Sequence, residues 1–353
     1  MGLSDGIVTG SSQIVDHGSS SRRFNLVIVS EGYQGSELGS FADAAQQFVD
    51  FLFSTAPFNK LKCAFNIYRI DVSSTDSGAD DPSACGGDGS LKATRFDASF
   101  CNGGIRRLLC VNSQAVIDVV EAVVPEWHQI LVIVNSSVYG GSGGAVAVSS
   151  TGGTSWKQVA LHEIGHTVFG LTDEYPYWAG CSIDTNRNNY TGLEPGYPNV
   201  TTNTDRNTIK WKDLIESSTS VPTTTNPDCS KCDTQANPYP AGTVGLYEGA
   251  RYYHCGIYRP EFSCMMKDLT GFCSVCRKEI SETMSVYLEK CYAPVFKPIP
   301  AILAIFVIII LALIVIILSL VAIFSDSVKC LIKRLFFIIR NCTAGNDNPC
   351  IAI

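Results

Sequence analysis

The sequence predicts an α/β (α+β) domain with a mixed sheet and one chemistry-bearing helix, followed by a single C-terminal transmembrane helix. Three observations carry that prediction. Residues 25–30 (NLVIVS) and 130–135 (ILVIVN) are short, almost wholly apolar runs, the mark of buried strands. Amphipathic helical patterns alternate with them. Residues 299–324 (IPAILAIFVIIILALIVIILSLVAIF) hold no charge across 26 positions, enough to span the roughly 30 Å of a bilayer core. With 353 residues, 46% of them apolar, there is material for one sizeable core and its appendages but not for a second catalytic domain.

Residues 1–23 are polar and are expected to be ordered only where they join the domain, which runs from 24 to 292. The first strand, 25–30, is followed by an amphipathic helix at 39–53 that turns Phe41, Phe48 and residues 51–53 inward, and by a strand at 64–72. Residues 73–102 are rich in Gly, Ser and Asp; Asp76, Asp80, Asp81 and Asp88 lack the spacing of an EF-hand, so a solvated loop is expected. A helix at 113–124 leads to the central strand at 130–135. Residues 144–150 (GAVAVSS) read as an edge strand of small residues, able to take up an extended peptide as a further strand. The next helix begins near Trp156, where Ser155 and Gln158 form a capping-box pattern, and it packs through Val159, Leu161, Ile164 and Val168. Gly170 is placed to stop it in a left-handed turn. Residues 176–242, full of Thr, Asn and Pro, are irregular and stapled by Cys181, Cys229 and Cys232 if oxidised. A final helix at 277–292, a linker at 293–298, the transmembrane helix at 299–324 and a short basic tail at 325–353 complete the chain.

The chemistry concentrates in LHEIGHTVFGLTDEY, residues 161–175, in a chain with only five histidines. His162 and His166 stand one helical turn apart on one face, so both imidazoles reach one metal, and Glu163 stands beside it as a base. This H-E-x-x-H pattern is that of zinc hydrolases. A reversal at Gly170 brings Asp173 back as third ligand, with Glu174 the runner-up and His254 an outside candidate. In metzincin proteases the turn glycine stands three residues before the third ligand, as Gly170 stands before Asp173, with one extra residue in the helix. Met266, in Cys264-Met265-Met266, suits a Met-turn beneath the histidines. Tyr252, Tyr253 and Tyr258 are candidate oxyanion donors that spacing does not rank. No serine or cysteine stands in a nucleophile context such as G-x-S-x-G.

Taken with NLVIVSEGYQ (25–34), Pro57 and Phe58, FNIYRIDVSSTDSGAD (65–80), GLYEGARYYHCGIYRPEFSCMM (245–266) and FCSVC (272–276), the motif resembles the M64 family of zinc metallopeptidases, named for IgA peptidases. The segments recur in order over residues 25 to about 290, and the extended HExxH with its DEY tail is the specific part. The resemblance implies a metzincin-like domain, one Zn2+ and endopeptidase activity, but no particular substrate; the leading reading takes protein or peptide substrates, extracellular or host-derived. A catalytically silent cell-surface adhesion protein retaining the fold is the alternative; the intact His, Glu, His set argues against it.

Compartment follows from charge and cysteines. The net charge of −7 disfavours nucleic acid, and the tail carries four basic residues, Lys329, Lys333, Arg334 and Arg340, which favour a cytoplasmic C-terminus beside membrane lipid. The domain is then extracellular, on a single-pass cell-membrane anchor. Of 15 cysteines, twelve precede the apolar segment, an even number suited to six disulfides. The rival pattern, Cys229-x-x-Cys232 with Cys273-x-x-Cys276 as a structural zinc site, has too long a spacing. Sequons at Asn135, Asn189 and Asn199 suit a glycosylated surface domain. The opening MGLSDGIVTGSSQ lacks a basic start and an apolar core, so export requires a longer precursor, or else insertion by the tail leaves the domain in the cytosol; the cysteines favour export. Cys330 is a candidate palmitoylation site, and residues 350–353 match a prenylation box that a spanning chain does not need.

Overall fold

Two strands buried along their whole length set the architecture of the computed structural model, which describes residues 4–178, 180–181, 186–292 and 301–342. In chain order the main elements are β1 (Gly6–Val15), β2 (Phe24–Glu31), α1 (Leu38–Ser54), β3 (Phe65–Ser74), α2 (Ser113–Val123), β4 (Gln129–Val134), β5 (Gly141–Ser142), β6 (Ala147–Ser150), α3 (Trp156–Phe169), β7 (Tyr247–Ala250), β8 (Tyr253–Arg259), α4 (Met265–Asp268), α5 (Ser274–Tyr292) and α6 (Ala301–Cys342). The first six strands form one mixed sheet in the order β1-β3-β2-β4-β6-β5. Its inner strands β3, β2, β4 and β6 run parallel, with β1 and β5 antiparallel at the edges.

Alternation along β2 and β4 divides the core. Leu26, Ile28, Leu131 and Ile133 face the layer built from α1, α3 and α5, while Val27, Val29, Val132 and Val134 face α2 and the loop around Phe96 and Phe100. With helices or loops on both faces the strands have no polar side, which is why they read as continuous apolar runs. Helix α3 is enclosed on several sides, burying Trp156, Val159, Ala160, Leu161, Ile164 and Phe169, whereas Val168 is only partly covered.

Several expectations are corrected. Residues 6–15 are not a loosely joined polar lead but β1, paired along β3 from Gly6 opposite Ser74 to Val15 opposite Ile67. Its alternation is hidden because Thr, Ser and Gln occupy an edge strand with one face toward water. The 144–150 segment is not an edge: β6 is paired with β4 on one side and β5 on the other. Even β5 is partly covered, since Leu109 donates its N–H to the Gly141 carbonyl and Gly141 to that of Arg107. Asp80 and Asp81 are also built in, Asp80 accepting from the Lys92 N–H and Asp81 pairing with Arg106 at 2.6 Å.

Among the described residues the cysteines form four disulfides, not the six expected: Cys63–Cys291, Cys85–Cys101, Cys181–Cys232 and Cys229–Cys255. Cys229 and Cys232 therefore take different partners and leave the rival zinc pattern. Asn199 is fully buried, its amide donating to Thr172 O and Glu174 Oε1, so it is closed to glycan attachment, whereas Asn189 is exposed.

The chain divides into two units, Met1–Ala293 and Pro294–Ile353. The second contains α6, one helix long and apolar enough to cross a membrane over Ile308–Leu335. It runs unbroken through the expected boundary at 324 between span and tail. The linker 293–298, residues 299 and 300, the tail beyond 342 and the box at 350–353 lie outside the described residues.

Candidate active site

The site is assembled where α3 ends. Gly170 adopts φ 60°, ψ 25° and donates its N–H to Gly165 O, closing the helix as a left-handed cap. Ser155 occupies the N-terminal cap position, but its side chain makes no capping hydrogen bond. The reversal returns the chain so that Asp173 Oδ1 stands 3.0 Å from His162 Nε2 and 3.3 Å from His166 Nε2, with the two Nε2 atoms 3.0 Å apart.

The other ring nitrogens are committed. His162 Nδ1 lies 2.9 Å from Met265 O and His166 Nδ1 2.7 Å from Leu171 O; a carbonyl only accepts, so each Nδ1 donates. The two Nε2 atoms and Asp173 Oδ1 therefore converge on one point, an arrangement that needs a shared positive charge, a proton or a metal ion. The electrostatics agree. Burial pushes His162 down, but the hydrogen bond and charge of Asp173 prevail and lift it to about 9. Burial likewise opposes ionisation of Asp173, yet the two histidines hold its carboxyl well below the usual range. His162, His166 and Asp173 form one of two clusters of metal-ligand type among the described residues.

Of the alternatives for the third position, Glu174 turns the other way, toward Cys273 and Cys276, and His254 lies against Cys229 O at 3.1 Å. Met266 is fully buried beneath α3: a Cβ on Gly165 would come 2.8 Å from its Sδ. Its carbonyl accepts the Glu174 N–H at 2.7 Å. Packing thus belongs to Met266, and the histidine's backbone acceptor to Met265.

Glu163 lies between two adjoining cavities of about 430 and 400 Å³, both lined by Arg107, Gly141, His162, Glu163 and Tyr175. Burial raises its pKa, and the two histidines oppose the rise. Glycines allow the approach of β5: a Cβ on Gly143 would meet Glu163 Oε2 at 3.2 Å, and one on Gly141 would meet Oε1 at 3.4 Å. The floor of the cleft is therefore glycine backbone, with the carboxylate directly above it.

The structure separates the three tyrosines. Arg251 and Tyr252, both at positive φ (49° and 71°), form the two-residue turn between β7 and β8. Arg251 donates its N–H to Asp173 O, Tyr252 its N–H to Tyr175 O, and the Tyr252 hydroxyl donates to Asp173 Oδ2. Left-handed backbone at an aromatic residue is uncommon, and here the turn places that hydroxyl on the carboxylate. Tyr253 packs on Tyr190, and Tyr258 pairs with Thr201. Sequence reasoning missed Arg107 and Tyr175, which meet at 3.4 Å across the cleft. Tyr175 was signalled only by its place beside Asp173 and Glu174; Arg107 stands in a loop with no local pattern.

The model of the family described as IgA Peptidase M64 matches residues 12–237 and 232–284. No curated protein matches the sequence. The match takes in the end of β1 and all of β2 to β8, the HExxH helix, the returning carboxylate and the hairpin that touches it, and on that basis the chain belongs to the M64 family of peptidases.

Proposed function

We propose that the protein is a membrane-anchored zinc endopeptidase that cleaves extracellular or host-derived proteins, with His162, His166 and Asp173 holding one Zn2+ and Glu163 acting as general base. The observation that carries this reading is the convergence of two Nδ1-anchored imidazoles and one carboxylate within 3.3 Å, beside a glutamate that lines both halves of a cleft.

Two neutral imidazoles and a carboxylate are a ligand set for zinc that leaves a fourth position for water or substrate. Zinc, when bound, polarises the scissile carbonyl and brings the pKa of water toward roughly 7. Glu163 takes the proton of the attacking water and returns it to the departing amine. Its partial withdrawal from solvent raises its proton affinity, which suits a group that must first accept and then donate. The Met265 and Leu171 carbonyls hold the two rings by Nδ1, and the Tyr252 hydroxyl holds Asp173 by its outer oxygen. Met266 supports the helix from beneath, the Met-turn role. Gly141 of β5 and Gly143 just after it admit an extended peptide close to Glu163, and the two cavities suit chain on either side of the scissile bond.

The test is cleavage of a denatured protein mixture by the detergent-solubilised full chain, beside Glu163→Ala and a chelator control, with zinc measured on both proteins. The expected result is a loss of about 10²–10⁴-fold in Glu163→Ala with zinc retained. Zinc bound without cleavage by the native chain would favour a silent binding protein, and a folded chain without zinc would overturn the site.

A further inference from the structure

We infer that the protein carries a second metal site, outside the cleft, in which Cys264, Cys273, Cys276 and Glu174 hold a structural, thiophilic divalent ion of the zinc class. This inference stands independently of the catalytic reading. It rests on the other ligand cluster among the described residues, four fully buried groups whose donor atoms lie within 4.8 Å of one another. Cys264 Sγ and Cys276 Sγ are 3.7 Å apart, and Glu174 Oε1 lies 3.4 Å from Cys276 Sγ and 3.9 Å from Cys273 Sγ. Metal–sulfur and metal–oxygen bonds of about 2.3 and 2.0 Å at the tetrahedral angle place sulfurs about 3.8 Å apart and sulfur from oxygen about 3.5 Å. The observed spacings are those of ligands around one ion, not the roughly 2.05 Å of a sulfur–sulfur bond.

The backbone is arranged for thiolates. Cys273 donates its N–H to Cys264 Sγ at 3.3 Å, and Cys276 donates to Cys273 Sγ at 3.4 Å, so the C-x-x-C turn at the start of α5 directs N–H groups at sulfur. Glu174 is sealed from water; Oε1 accepts from Asn199 Nδ2 at 2.9 Å, while Oε2 is a buried oxygen without a hydrogen-bond partner. A carboxylate in that position requires a proton or a cation. Three thiols cannot all pair among themselves, so oxidation would leave one buried thiol beside that carboxylate. A metal accounts for all four groups at once, each thiol releasing its proton to solvent on binding. It also explains how three close thiols persist in a domain where eight of the other nine cysteines form four disulfides and only Cys110 stays free.

The position gives the ion a task. Glu174 follows Asp173 and donates its N–H to Met266 O, while Cys264 precedes Met265, whose carbonyl holds His162 Nδ1. An ion joining residues 174, 264, 273 and 276 fixes both the returning strand and the Met265 carbonyl behind the cleft.

The experiment uses the full chain in detergent, loaded with Zn2+ or Co2+ alone. The native chain should hold about two ions and the His162→Ala/His166→Ala variant about one, the second ion staying with its thiolates. Cobalt in that variant should show sulfur-to-metal charge-transfer absorption in the near ultraviolet and the intense visible bands of tetrahedral sites. Adding Cys276→Ser, which leaves two thiolates, should weaken those bands, and unchanged intensity would overturn the inference; if that variant does not fold, the cobalt spectrum of the histidine variant decides alone. A histidine variant that binds no metal, a spectrum without sulfur bands, or a disulfide among Cys264, Cys273 and Cys276 in the native chain would each overturn the inference. Absence of cleavage by the native chain, with sulfur bands intact in the histidine variant, would count against the catalytic reading only.

Discussion

A carboxylate sealed inside a sheet is costly in its charged form, and Glu31 carries that cost. It is fully buried at the end of β2 and accepts the N–H groups of Phe96 and Ala98 at 3.1 Å. Burial outweighs those bonds and lifts its pKa from 4.5 to about 7. The folded state therefore holds the Glu31 proton more tightly than the unfolded chain does. This contribution is fully present below the unfolded value and is lost as pH rises through the folded value near 7. Denaturant unfolding between about pH 5 and pH 8 should show a loss on the order of a few kcal/mol, and Glu31→Gln should flatten it. Equal slopes in both proteins would reject the assignment. Tyr252 invites a second test: Tyr252→Phe removes the donor to Asp173 and should weaken metal affinity by about 10–100-fold in a chelator competition. Unchanged affinity would show that the hydroxyl does not support the ligand. At this scale the sequence was informative where geometry is local. The spacing of His162 and His166 and the reversal at Gly170 depend on one helix and one turn. Tyr252 could not be told from Tyr253 because a hairpin's register decides which of two neighbours faces the site, and the turn lacks the usual Asn-Gly signal.

Among the elements, α3 was readable at its end, where a left-handed glycine is a punctuation mark in sequence; its start at Trp156 was placed correctly although Ser155 makes no capping hydrogen bond. Strand β5 was not readable, because two residues carry no period. Its placement nonetheless governs the cleft. A Cβ on Gly141 would meet Val159 Cγ1 at 2.7 Å and the Val148 carbonyl at 2.8 Å, one of them backbone of the neighbouring strand. Gly141→Ala should force β5 away from α3, lowering stability by about 1–3 kcal/mol and lowering kcat because Glu163 borders the same strand. Thermal unfolding read beside kcat tests this, and a variant with native stability and native kcat would show that the close approach is not needed. The segment across 176–242 was legible as irregular and stapled by its cysteines, but not in its pairing. Its order comes from long-range pairs, Cys181–Cys232 and Asn199 with Thr172 and Glu174, which no local window contains.

For the whole molecule, composition pointed correctly to one long apolar helix, whereas cysteine parity misled. Twelve cysteines suggested six pairs, but pairing requires Cβ atoms to face one another, and four of the twelve are placed otherwise, three of them around Glu174. The remaining disulfides still argue for an oxidising compartment, and Cys63–Cys291 joins residues separated by 228 positions. Combined with the uncharged run of α6 and the basic residues Lys329, Lys333 and Arg334 that follow it, this predicts a catalytic domain outside and a C-terminus inside the cell. Two measurements examine it together. The full chain should stay with membranes through an alkaline carbonate wash, and deletion of residues 301–342 should release it, because only α6 is apolar over a bilayer's width among the described helices. On intact cells, external trypsin should then digest the domain while an epitope at the C-terminus survives. A domain that resists trypsin until the membrane is opened would place the protease in the cytosol, where glutathione would reduce exposed disulfides and the argument from cysteines would fail with it.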